Sequence, residues 1–161
     1  PITILTKSSL VLRDLDLLTK FSNCEVGFTI TTIVDDDRKR FEPNSSPVEE
    51  RLAALKELHE KGVSTYAFLG PILPYITDEN ENLQNMIINF AKAKVDYVMV
   101  DRLNMRWEVW PSIVRFLKLY YPNLISKYKH IFWSKNDYFE HTKVKILKLC
   151  NEHGIKCELC Y

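Results

Sequence analysis

TYAFLGPILP (residues 65–74) is the stretch that decides the fold. An apolar, β-branched and aromatic run from Thr65 to Leu69 stops at Gly70-Pro71, and a helical pattern follows from about Glu79 to Lys94. A short run that is apolar at nearly every position reads as a strand buried on both faces, as in parallel sheets covered by helices. The same grammar recurs three times. ITIL (2–5) leaves through Thr6-Lys7-Ser8-Ser9, CEVGF (24–28) through Thr29-Ile30-Thr31-Thr32, and YVMV (97–100) through Asp101-Arg102-Leu103-Asn104. In a parallel β/α array the loops leaving the strands' carboxyl ends line one rim, and ligands bind there. Four exits carrying hydroxyls, charge or proline therefore point at one site.

The segments between these runs read as helices. Ser8 or Ser9 is placed to cap a helix whose apolar positions Leu12, Leu15, Leu18 and Phe21 recur at helical spacing. The second strand is expected from Glu25 to Thr31. The polar connection DDDRKRFEPNS (35–45) then leads to Ser46-Pro47-Val48-Glu49, where serine and a glutamate three residues on predict a capping box. Leu52, Leu55 and Leu58 continue that helix to a stop at Lys61-Gly62. Beyond Asn104 helices are broken by Pro111 and Pro122. A last helix runs from about Tyr138 to His153, and Gly154 turns the chain into a final strand, Ile155 to Tyr161. Five strands alternating with helices imply a parallel α/β sheet. A closed eight-fold barrel needs about 250 residues, so the expectation is a partial (β/α) barrel with its helices outside.

The 161 residues suit one domain with a real core. A formal net charge of +1 gives no global argument for nucleic acid or membrane. No apolar run reaches the roughly 18 residues that span a bilayer, and no signal-peptide pattern is present. The chain reads as cytoplasmic, with its four cysteines as free thiols. ITIL starts at full strand hydrophobicity without a lead-in. That predicts an inner strand whose neighbour lies outside this chain, and hence self-association through residues 1–5 or the concave face.

The order TKSSLVLRDLDLL (6–18), VGFTITT (26–32), FEP (41–43), RLAALKELHEKG (51–62), GPILP (70–74) and VDRLN (100–104) resembles one family. It is similar to the carboxyl-terminal part of the radical SAM domain in spore photoproduct lyase-like proteins. The likeness runs from about Ile2 to Asn104, so residues 1–105 are the best-matching segment and 106–161 a helical flank with a final strand. The resemblance implies a six-stranded partial barrel that reductively cleaves S-adenosylmethionine at a [4Fe-4S] cluster to make a 5′-deoxyadenosyl radical. The four matching strands correspond to strands three to six. The C-x3-C-x2-C loop that holds the cluster is absent here, so the expected partner is an amino-terminal part of the same domain, or a second copy of the chain at the exposed edge.

Carried over residue by residue, the resemblance gives Lys7 a contact to the carboxylate of S-adenosylmethionine, and Thr29 an approach to its nucleoside. Gly70, Pro71 and Ile72 become the wall against adenine. Thr29 and Thr31 are expected on one strand face, lining the interior; a plain strand threonine is the alternative. Asp101, Arg102 and Asn104 are substrate-contact candidates, with a rim ion pair as the alternative for the first two. Glu42 is expected to pair with Arg13 or Arg51 and pin its loop. Cys157 and Cys160 have a ligand spacing, but an extended strand sends them to opposite faces, and no metal site is assigned. The aromatic residues of the last third, Trp107, Trp110 and Trp133 with tyrosines 120, 121, 128 and 138, interleave with lysines. They read as flank packing, with a nucleic-acid stacking surface as the alternative. A non-enzymatic β/α module that binds a nucleotide or a protein partner is the rival to the enzyme reading.

Overall fold

The computed structural model describes all 161 residues, Pro1 to Tyr161. Five strands form one sheet in the order of the sequence: β1 (Ile2–Thr6), β2 (Cys24–Thr29), β3 (Ser64–Ile72), β4 (Tyr97–Arg102) and β5 (Lys156–Leu159). All four pairings are parallel. The helices are α1 (Leu15–Leu18), α2 (Asp35–Phe41), α3 (Val48–Glu60), α4 (Asn80–Ala93), α5 (Trp110–Tyr120), α6 (Ile125–Trp133) and α7 (Tyr138–Glu152).

The pleat sorts the strands' residues into two faces. Val26, Phe28, Ile30, Ala67, Leu69, Val98 and Val100 form one core cluster with Leu55 and Leu58 of α3, Leu83, Met86 and Phe90 of α4, and Ile146 of α7. The intervening residues face the other way. Register places Leu5 beside Gly27, Gly27 beside Tyr66, Tyr66 beside Tyr97, and Tyr97 beside Lys156 on that second face. None of the core helices packs there, and Leu5 is 48% exposed. A sheet whose strand order never reverses and whose helices lie on one side is an open part of a β/α barrel. A doubly wound sheet would reverse its order and carry helices on both faces. Fold class and strand alternation thus follow the reading of the sequence.

A smaller apolar cluster sits beyond the strands' carboxyl ends. Leu73, Leu103, Leu117 and Tyr128 are its buried members, with Phe41, Trp110, Ile113 and Phe116 packed against them. It holds α2, α5 and α6 over the strand exits.

Several local expectations are corrected. DDDRKRF (35–41) is helix α2. Its first turn carries three aspartates and its last Arg38, Lys39 and Arg40, a charge order that suits the helix dipole. The polar composition hid it, because α2 contributes one apolar residue, Phe41, to packing. Ser46 does not cap α3; its hydroxyl accepts the Ser9 backbone N–H at 3.0 Å and so ties the first exit loop to the start of α3. The segment after β1 is a 3₁₀ turn, Ser9–Asp14, running into the single-turn α1, with Ser8 as its cap. β3 runs on to Ile72 across a cis Gly70-Pro71 bond and a register shift between Leu69 and Ile72. β5 stops at Leu159.

Helix α2 has a pH dependence of definite sign. Arg38, hydrogen-bonded to Asp35 at 2.7 Å, holds the Asp35 carboxyl down at about 2 from its ordinary 3.8. A lowered folded-state value means the pairing is fully stabilising above the unfolded-state value and is lost as pH falls toward the folded one. Amide protection in α2 is therefore expected to be constant at neutral pH and to fall between about pH 4 and 2, ahead of the core helices; hydrogen exchange read by NMR checks this.

Candidate functional site

The carboxyl-end rim is organised around a buried carboxylate. Glu42, just past α2, receives three donors. Arg51 of α3 reaches its Oε2 at 2.9 Å, Lys7 lies 3.0 Å from Oε1, and the Thr31 hydroxyl donates to Oε1 at 3.1 Å. Arg51 is fully buried and also donates to the Thr29 carbonyl. The Thr31 hydroxyl lies 3.2 Å from the Gly70 carbonyl as well. The exits of β1, β2 and β3 are thereby joined through one network. Of the two arginines proposed for Glu42, Arg51 is the partner; Arg13 pairs with its neighbour Asp14.

The sequence-predicted site residues divide into two groups around this network. One group borders the face of the sheet that carries no helix. Thr29 lies beside Phe68 in register and is buried. Gly70 is buried on the same face, and a Cβ built there would lie 2.7 Å from the Phe68 ring and 3.2 Å from the Asp101 Cβ, so the absent side chain is what lets the Phe68 ring lie against the strand. The second group lines a cavity of about 280 Å³ under α2, α5 and α6. Lys7, Thr31 and Pro71 contribute to it together with Phe41, Leu103 and Phe116. β2 ends at Thr29, and the Thr31 hydroxyl beyond it is taken up by Glu42 and the Gly70 carbonyl.

Three candidates land elsewhere. Ile72 is buried in the core, so only its backbone can meet a ligand. Arg102 lies over the rings of Phe139 and Tyr161, at 5.3 and 5.2 Å, which is a stacking role. It lines, with the exposed Asn104, a separate groove against α6 and α7.

Two features were not legible from the sequence. The first is a floor on the helix-free face. Glu25 accepts hydrogen bonds from Thr3 at 2.8 Å and from Tyr97 at 2.9 Å, while Tyr66 stacks on Tyr97 with centroids 5.0 Å apart. Gly27 is the residue that makes room, since any side chain there would overlap the Tyr66 ring. Glu25 and Tyr97 lie 72 residues apart in the sequence and meet, with Tyr66 beside them, only through the parallel pairing of β2, β3 and β4, which no local motif encodes. The second is a latch on the β3 exit. Asp78 accepts from the Tyr75 backbone N–H at 2.7 Å and from the Tyr138 hydroxyl at 2.6 Å, tying the exit to α7. Burial pushes the Asp78 carboxyl up, although both hydrogen bonds pull it down.

The cysteines do not assemble a ligand set. Cys24 and Cys150 are buried, Cys157 lies against Cys150, and Cys160 is exposed near Asp101. Contact with Cys157, then burial, pushes the Cys150 thiol up. No group of three or more histidine, cysteine or acidic side chains is placed to hold a metal ion. Among the last-third aromatics, Trp107 is 79% exposed beside Trp133, whereas Tyr128 is buried in the rim cluster. No helix is long and apolar enough to cross a membrane.

No protein-family model matches the sequence. An uncharacterized protein of Methanocaldococcus jannaschii is 42% identical over 105 residues, 65% of this chain and 39% of its own length. An uncharacterized protein of Mycobacterium tuberculosis is 27% identical over 135 residues, 82% of this chain and 40% of its own. The chain thus spans about two-fifths of the curated relatives it matches. Among solved structures, a mutant of spore photoproduct lyase superposes with a TM-score of 0.71 at 14% identity, over 99% of this chain and 50% of that one. Streptococcus suis SuiB bound to S-adenosylmethionine superposes at 0.62 and 10% identity, over 98% of this chain and 30% of that one. The chain shares the fold of these two proteins. At such identities the likeness speaks for architecture alone.

Proposed function

We propose that this chain is the S-adenosylmethionine-binding part of a radical SAM enzyme similar to spore photoproduct lyase. The observation that carries the reading is the cavity of about 280 Å³ at the strands' carboxyl ends, where Lys7, Thr31 and Pro71 of the matched residues meet. Support comes from the six ordered motifs and from the fold, which is shared with a spore photoproduct lyase solved with bound AdoMet (TM-score 0.69) and with S-adenosylmethionine-bound SuiB.

The residues fit the ligand in kind. A glycine edge lets a planar base approach the backbone closely, and the Pro71 ring stiffens that edge. The Thr29 hydroxyl is available to a ribose, and Asp101 to a donor on the substrate. When bound, S-adenosylmethionine supplies chemistry begun by one-electron reduction. This chain's contribution is to bind, orient and shield: Lys7 and Pro71 border the cavity, and the Arg51–Glu42 pair holds the exits of β2 and β3 in place. A [4Fe-4S] cluster does not fit the cysteines present, so no step is assigned to one here. Its ligands, and the strands that would cover Leu5 and the free edge of β1, belong in this reading to an amino-terminal part of the same domain.

The test is made on the protein expressed from the whole reading frame that carries this chain, assayed anaerobically with a strong reductant. Release of 5′-deoxyadenosine from S-adenosylmethionine is the expected result. A folded protein that takes up iron and sulfide yet releases none contradicts the reading.

A further inference from the structure

The exit of β4 leads into a second hollow, which the reading above does not use. Arg102, Asn104, Met105, Ile131, Phe132 and Phe139 line a groove of about 230 Å³ between this exit and helices α6 and α7. None of these residues is given to S-adenosylmethionine, and Leu103 alone borders both this groove and the cofactor cavity. The volume lies below the usual range for larger ligands and suits one ring with a short substituent. Ile131 and Phe139 are buried, and Met105 and Phe132 half-buried, so the walls are apolar.

The polar end of the groove is an arginine without a counter-charge. Arg13, Arg38, Arg40 and Arg51 each hold a carboxylate at 3.2 Å or closer, whereas Arg102 has none within 4.0 Å. Asp101, its neighbour in β4, is turned to the opposite face by the pleat and lies by Gly70 there. What holds Arg102 is aromatic. Its guanidinium carbon sits 5.3 Å from the Phe139 ring centroid and 5.2 Å from that of Tyr161. A ring engages a guanidinium through its π-face and consumes none of its five N–H donors. Arg102 is thus held at the end of a strand with its donors to spare. Two residues on, the exposed Asn104 brings an amide to the same groove.

We infer that this groove binds a small oxyanion, a carboxylate or a phosphate, carried on a single ring. The anion sits on the Arg102 fork and the Asn104 amide, and the ring lies against Met105, Ile131 and Phe132. A guanidinium presents paired N–H groups that match two oxygens of either anion. A cationic ligand would meet Arg102 at close range, and an uncharged ring would leave its donors to water.

Calorimetric titration of the protein expressed from the whole reading frame tests this with benzoate, phenyl phosphate and the uncharged benzyl alcohol. No S-adenosylmethionine or cluster is needed, so failure of the enzyme reading leaves the test intact. At least one of the two anions is expected to bind about tenfold or more tightly than the alcohol, and the tighter one names the oxyanion the groove is built for. Arg102→Met should bring that anion to the level of the alcohol, with Arg102→Gln as a second variant should the first melt early. Lys143→Gln removes a cation of α7 already paired with Glu140 at 3.3 Å, and should leave the affinity within about twofold. Anions that bind no more tightly than the alcohol, undiminished anion binding in a folded Arg102 variant, or an equal loss in Lys143→Gln would overturn the inference.

Discussion

Replacing Arg51 with methionine is expected to destabilise the protein by about 3–5 kcal/mol, the cost of leaving a buried carboxylate without its main partner. The side chain is fully buried, and two of its contacts are at stake. Glu42 loses its 2.9 Å ion pair, and the Thr29 carbonyl loses a donor. Lys7 cannot replace Arg51, because its ammonium is half in solvent and serves the other carboxylate oxygen. Against a net stability of about 5–15 kcal/mol for a domain, this is a large share. Urea unfolding followed by circular dichroism measures it. Glu42→Leu added to Arg51→Met should recover a good part of the loss, since removing both charges of a buried pair costs less than removing one. A single variant within about 1 kcal/mol of the parent would mean that water reaches the pair and that the rim is not held by it.

What could be read from the sequence, and what could not, divides along the range of the interactions. Strands such as ITIL and YVMV announce themselves as short apolar, β-branched runs, although helices cover only one face of the sheet and Leu5 on the other is 48% exposed. The Lys61-Gly62 stop is visible for a similarly local reason: Gly62 adopts φ +80, which glycine reaches without strain. Helix α2 was missed because its seven residues are stabilised by pairs such as Arg38–Asp35 and Arg40–Asp37, with little apolar periodicity to reveal them. Ser46 shows the limit of a motif. Its spacing to Glu49 is right for a capping box, yet a hydroxyl that meets the Ser9 N–H from a distant loop satisfies a longer-range demand instead.

The site was legible as a place and less so as a set of contacts. The four exits do lie together at one end of the sheet. Which way each side chain turns there depends on a pleat that breaks at Thr29 in β2 and at Gly70-Pro71 in β3. Past such a break the two-residue period no longer applies, so Ile72 goes inward while Gly70 stays against the Phe68 ring on the other face. Glu42 could be paired from sequence only with a choice of arginines. The choice is made by α3, which brings Arg51 under the ends of β2 and β3.

Gly70 gives the second large expected effect. In Gly70→Ala the new Cβ would lie 2.7 Å from the Phe68 ring. Phe68 is only partly buried, so its ring can yield toward the open face, and the fold survives while the displaced ring and the new methyl block approach to the Gly70 backbone. Thr29→Val is close in shape and removes only a hydroxyl, which separates loss of a hydrogen bond from loss of space. The measurement that bears most directly on the account is the equilibrium affinity of the folded protein for S-adenosylmethionine, taken for the parent and for Gly70→Ala at equal thermal stability. The account predicts that the parent binds and that Gly70→Ala binds at least about tenfold more weakly, a loss of roughly 1.4 kcal/mol. A parent that does not bind, or a Gly70→Ala protein that binds as tightly as the parent, would contradict it.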